Sequence, residues 1–106
     1  MLDGFAAVRC TATRNVEIRA YKFVPENLTV NVGDTVEFKN SDIVPHTATS
    51  TRTPATFNSG RIGVGESWKY VAGRKGIHDY ECSFHPNMQG PIIVQYAPSR
   101  LQLLPC

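Results

Sequence analysis

Within Tyr80-Glu81-Cys82-Ser83-Phe84-His85-Pro86-Asn87-Met88-Gln89-Gly90 the chain sets a thiolate, an imidazole and a thioether at the spacing Cys-x2-His-x2-Met. These three groups together suit copper better than any other common metal. A second imidazole, His46, lies well upstream in Asp42-Ile43-Val44-Pro45-His46-Thr47. Two histidines, one cysteine and a weak axial methionine make the ligand set of a blue-copper electron-transfer site. The thiolate stabilises both copper valences and excludes hard cations, while imidazole suits either valence. One such site can therefore cycle between Cu(I) and Cu(II) with little ligand movement.

Each residue also has a plainer reading. Cys82 alone would be a buried structural cysteine, and His46 after proline a loop histidine. Met88 could simply pack, with Gln89 beside it supplying an axial oxygen instead. The group as a whole argues otherwise, because the downstream trio needs one more strong ligand and His46 supplies it. A structural zinc site would close with a further strong N, S or O donor where this loop offers a thioether. A copper enzyme would need a second metal or substrate site, and only His78 is left over. It stands roughly 13 Å from Cys82 along an extended strand, too far to share the metal. A non-enzymatic carrier of single electrons is the leading expectation. A copper storage or delivery module, or a domain cut from a larger copper oxidoreductase, is the alternative.

Such a site must be held by rigid elements, and the sequence reads as short strands. Val16, Ile18 and Ala20 share one face before Tyr21 and Phe23 continue on the other parity, which suggests a bulge or bend. Leu28-Thr29-Val30-Asn31-Val32 and Thr35-Val36-Glu37-Phe38-Lys39 alternate cleanly around Gly33-Asp34. Asn40 to Pro45 is turn-like; Asn40 reads first as a turn residue, and holding the His46 loop by side-chain hydrogen bonds is its second reading. Ser67-Trp68-Lys69-Tyr70-Val71, Ile77 to Cys82 and Ile92-Ile93-Val94-Gln95-Tyr96 are further strands, with Phe38, Trp68 and Tyr70 assigned to the core. In the Ile77–Cys82 strand, parity turns His78, Tyr80 and Cys82 inward and Ile77, Asp79 and Glu81 outward. No apolar helical period persists, so the expectation is an all-β, antiparallel two-sheet sandwich of seven or eight strands.

At 106 residues the chain fits one domain able to bury its own core without metal. The formal net charge of +2 is too small to argue for nucleic acid or an anionic membrane as partner. No apolar run approaches a membrane span, and Met1 to Ala7 lacks the pattern of a secretory signal, although a signal peptide could already have been removed. With Cys82 assigned to metal, Cys10 and Cys106 remain as a possible disulfide pair, which would persist only in an oxidising compartment.

From about Val16 to Tyr96 the chain resembles the small cupredoxins, in particular the amicyanin, pseudoazurin and plastocyanin group. The resemblance rests on Phe23-Val24-Pro25-Glu26-Asn27-Leu28-Thr29-Val30-Asn31-Val32-Gly33-Asp34-Thr35-Val36, the Asn40-Ser41-Asp42 turn, Pro45-His46-Thr47, Phe57-Asn58-Ser59-Gly60, Gly65-Glu66-Ser67-Trp68 and the cysteine loop. It implies a single domain over residues 1–106, with a core at about 16–96 and extensions at both ends. It further implies an eight-stranded Greek-key sandwich and one type 1 copper bound by His46, Cys82, His85 and Met88. The same resemblance implies a monomeric periplasmic or otherwise extracytoplasmic carrier that serves redox partner proteins. They would dock near His85 on an apolar patch of Phe84, Pro86, Pro45 and Pro91. Thr47 stands where relatives often carry Asn, and its backbone N–H would reach the Cys82 sulfur. His78 stands where they usually have an aromatic residue, and the segment after Pro98 exceeds what a minimal member needs.

Overall fold

A computed structural model describes residues 11–52 and 55–97 of the chain. Cys10 and Cys106 lie outside the described residues, as does the segment after Pro98. The described residues form eight strands and no helix: β1 (Thr13–Arg19), β2 (Lys22–Val24), β3 (Leu28–Asn31), β4 (Thr35–Asn40), β5 (Thr49–Ser50), β6 (Ser67–Val71), β7 (Gly76–Cys82) and β8 (His85–Gln95). Among them no helix is long and apolar enough to cross a membrane.

The strands make two four-stranded sheets, ordered β2-β1-β4-β6 and β3-β8-β7-β5. Alternation within each strand decides which side chains meet between them. Val16 and Ile18 of β1 and Val36 and Phe38 of β4 are buried from one sheet, and Val30, Tyr80, Ile92 and Val94 from the other. Phe38 meets Tyr80 edge-on at 5.5 Å between ring centroids, and Phe23 lies 4.6 Å from Tyr80, so aromatic rings knit the two layers. Trp68 and Tyr70 face the same way but are only half-buried, because β6 is the open edge of its sheet.

Two expectations are corrected. The sandwich is not purely antiparallel, since β1 runs parallel to β4 and β3 parallel to β8. An alternating pattern tells which face is buried but is silent on strand direction. Here the chain crosses between sheets after β2, β3, β4, β5 and β6, so only β1–β2 and β7–β8 are sequential neighbours that pair. The parity switch near residue 20 is likewise not a bulge. Arg19 pairs with Lys22, and Ala20 and Tyr21 between them form a two-residue hairpin turn at φ 51° and 60°. Both φ values are left-handed and neither residue is glycine or asparagine, at a cost of about 1–2 kcal/mol each.

Two devices bring the ends of strands to one end of the sandwich. The first is the β7–β8 hairpin, whose register breaks after Glu81↔Gln89 and resumes at Cys82↔His85. Pro86, Asn87 and Met88 are thereby left without partners on β7, forming a wide bulge that the Gln89 side-chain amide fastens by donating to the Pro86 carbonyl at 2.9 Å. The second is buried Asn40, which closes β4. Its Nδ2 donates to the carbonyls of Val44 (2.8 Å) and Ile62 (3.0 Å), and its Oδ1 accepts the Asp42 N–H (2.9 Å). That clamp presents the 42–46 loop toward the bulge.

Candidate metal centre

His46 is fully buried and fixed by backbone as well as side chain. Its N–H and C=O exchange hydrogen bonds with Ile62 at 3.1 and 2.7 Å. Its Nε2 lies 2.9 Å from Asp42 Oδ2, a carboxylate with only lone pairs to offer, so Nε2 carries the proton and donates. Nδ1 is then left with a free lone pair, pointed at Cys82 Sγ 3.6 Å away.

Asp42 is itself well supported. Oδ2 also accepts the Tyr21 N–H at 3.0 Å and Oδ1 accepts the Ile43 N–H at 2.8 Å. The Tyr21 N–H is the largest influence holding its carboxyl below the ordinary 3.8; burial works the other way, and the Ile43 N–H and His46 add to the lowering. The carboxylate is thus ionised where it faces the imidazole.

Cys82 ends β7 fully buried, and the Thr47 N–H reaches its Sγ at 3.3 Å. The Thr47 hydroxyl accepts the Ser83 N–H at 2.7 Å, tying the loop that follows the cysteine to the segment that follows His46. His85 opens β8, partly exposed, with its Nδ1 3.7 Å from Cys82 Sγ. Met88 is buried in the same cluster as Cys82, at the end of the bulge.

The donor atoms of His46, Cys82 and His85 all lie within 4.8 Å of one another. Metal bonds of about 2.3 Å to sulfur and 2.0–2.1 Å to imidazole, at tetrahedral to trigonal angles, would separate sulfur from each nitrogen by about 3.6–3.8 Å. The two sulfur–nitrogen separations, 3.6 and 3.7 Å, therefore match groups converging on one ion. Distance alone admits several metals, but a thiolate with a buried thioether close in sequence favours copper.

The structure thus gathers His46, Cys82 and His85 and buries Met88 close by in the chain. His78 is elsewhere, as its strand position requires, buried with Nε2 2.8 Å from the Arg74 carbonyl and Nδ1 without a partner. Pro91 pairs with Asp79 in mid-hairpin, three residue pairs and roughly 10 Å along the ladder from the Cys82–His85 pair. Phe84 is 52% exposed and Ile43, in the His46 loop, 84% exposed.

Two contributors escaped the sequence reading. Asp42 had a usable signal, a carboxylate four residues before a candidate ligand histidine in a turn. Tyr21 had none: its ring lies edge-on to both imidazoles, 5.6 Å from His46 and 4.9 Å from His85 between centroids, though it is far from either in sequence.

Residues 10–95 match the family of copper binding proteins, plastocyanin/azurin. Amicyanin of Paracoccus denitrificans is 28% identical over 83 residues, covering 76% of this chain and 63% of that protein. The chain thus spans less than two thirds of the length of this curated relative. Among solved structures, the novel purple cupredoxin from Nitrosopumilus maritimus is 31% identical with a TM-score of 0.72, covering 77% of this chain and 99% of its own. A copper-containing nitrite reductase from Thermus scotoductus SA-01 is 32% identical with a TM-score of 0.72, over 80% of this chain but 22% of the reductase.

Proposed function

Because the chain belongs to the plastocyanin/azurin family of copper-binding proteins, we propose that it is a type 1 copper protein that carries single electrons between redox partners. The observation that carries this reading is the convergence of His46 Nδ1 and His85 Nδ1 on Cys82 Sγ at metal-ligand separations. His46, Cys82 and His85 would hold the ion, with Met88 as the axial ligand. Copper supplies a one-electron change at that point.

The chain's own residues keep that change cheap in reorganisation. Asp42 holds His46 in one tautomer and orientation, the Thr47 N–H holds the thiolate, and Asn40 holds the loop that carries both Asp42 and His46. With Cys82 and His46 buried, partner access is through part-exposed His85. Phe84, Pro45, Pro86 and Ile43 form the apolar surface on which a partner docks. The whole chain, residues 1–106, is read as one domain acting as a non-enzymatic monomer outside the cytoplasm, in a periplasm or an equivalent compartment. Burial of the sulfur favours a carrier over a delivery module, which would need an exposed, easily exchanged site.

The test is the visible and EPR spectrum after adding Cu(II), then mild reductant. An intense visible band with narrow copper hyperfine splitting, bleaching and returning, is expected for the native chain and should vanish in Cys82→Ser. A pale, broad-hyperfine spectrum, or a preference for zinc, would overturn the reading. The likeness to one fifth of a nitrite reductase favours a second reading, in which the same copper unit relays electrons inside a larger copper oxidoreductase.

A further inference from the structure

The β1–β2 turn holds a bulky aromatic residue at a left-handed φ of 60°, where glycine would sit without strain. The hairpin itself does not call for a tyrosine there, and Tyr21 is 48% exposed rather than part of the core. What the ring meets is the candidate metal centre. It stands edge-on to His85 at 4.9 Å and 84°, and edge-on to His46 at 5.6 Å and 85°. Its backbone N–H and His46 Nε2 share a single oxygen, Asp42 Oδ2, at 3.0 and 2.9 Å. Strain held at one residue by such surroundings marks a site where geometry serves a purpose beyond the turn.

The two imidazoles differ in their need for support. His46 has a carboxylate on Nε2 and a backbone bridge to Ile62. Among the described residues, the His85 ring has no carboxylate or carbonyl partner, only the Cys82 sulfur at 3.7 Å. Its remaining restraint is packing, which Tyr21 supplies from one side at 4.9 Å and the His46 ring from another at 5.1 Å. We propose that Tyr21 is a positioning residue for His85: its ring walls in the part-exposed imidazole, keeps Nδ1 turned toward Cys82 and His46, and shields the metal's solvent side. This rests on reading His46, Cys82 and His85 as metal ligands. The route from Tyr21 through Asp42 to His46 adds that a single turn sets both nitrogen donors.

The test compares Tyr21→Gly, which suits the turn's φ, with Tyr21→Phe, which keeps the ring. Side-chain NMR of the metal-free protein should show the His85 ring signals shifted and broadened in Tyr21→Gly. Copper(I) should pass to a chelator about three- to tenfold faster, the size of one edge-on aromatic pair. Tyr21→Phe should restore both. Unmoved His85 signals in Tyr21→Gly would overturn the proposal. So would a phenylalanine variant that behaves like glycine, or disturbance spread evenly through both sheets, the mark of a merely loosened fold. Failure of the native chain to take up copper would sink the copper reading instead, and the metal-free signals would still decide the role of Tyr21.

Discussion

Removing the carboxylate of Asp42 should weaken copper binding without touching a proposed ligand. Three donors converge on it: the Tyr21 and Ile43 N–H groups and His46 Nε2–H. In Asp42→Ala the fully buried Nε2–H of His46 loses its acceptor, and a buried donor left unpaired costs about 1–3 kcal/mol. The imidazole can then shift its proton to Nδ1 or rotate, and either change removes the lone pair that the proposed site would offer the metal. Loss of a partner behind a metal-ligating histidine typically costs 10–100-fold in affinity, or about 1.4–2.8 kcal/mol, which agrees with the orphaned-donor figure. Asp42→Asn should fall between. Its amide oxygen can keep the Oδ2 position and serve Tyr21 and His46, but its NH2 then faces the Ile43 N–H. Chelator competition with Cu(I) would measure both variants. Affinities within twofold of the native chain would refute the idea that Asp42 orients His46. Acid titration of the metal-free protein adds a signed check. The folded carboxyl is held below 3.8, so its contribution is fully present above that pH and is lost as pH falls through the lowered value. Asp42→Asn should flatten that part of the acid-unfolding curve.

Asn40→Ala should destabilise the metal-free fold by about 3 kcal/mol, because the Val44 carbonyl and the Asp42 N–H lose their partner in a largely buried setting while the Ile62 carbonyl keeps only the His46 N–H; denaturant midpoints would show it. If Met88 is the axial ligand as proposed, replacing it by leucine should keep the intense visible band and shift the reduction potential, since an axial thioether tunes such a site; loss of the band would mean Met88 builds it. Gly90→Ala should cost about 1–3 kcal/mol by thermal unfolding, as its methyl would lie 2.6 Å from the Glu26 backbone carbonyl and 3.3 Å from the Tyr80 hydroxyl.

Much of the molecule was legible because its signals are local. Strand parity placed Cys82, Tyr80 and His78 inward, and the structure buries all three while leaving Ile77 and Asp79 outside. The Cys-x2-His-x2-Met spacing points to a loop able to present several donors, whereas Asn40 reads first as a turn residue and is found instead closing β4 and bracing the loop. Strand direction was not legible. Both parallel pairs join strands separated by crossovers, and no residue within β1 or β3 records which strand will lie beside it.

The parts of the site that sequence missed are those that depend on meeting across the fold. The hairpin turn at Ala20-Tyr21 lacks the Asn-Gly or Asp-Gly signature such turns usually carry, so its residue types hid its geometry. That absence is informative once the structure is in hand. A chain selected only for an easy turn would place glycine at φ 60°, whereas this one keeps a tyrosine whose ring reaches two imidazoles and whose N–H reaches the carboxylate behind one of them. Local rules are broken here where a non-local arrangement has taken precedence. The same holds for the break after Glu81: a regular hairpin would run on in register, and the three-residue bulge instead brings His85 opposite Cys82 and leaves Met88 buried at its end. Both irregularities fall at the end of the sandwich that holds the candidate ligands, so the sheets supply rigidity and the departures from them supply the geometry of the site.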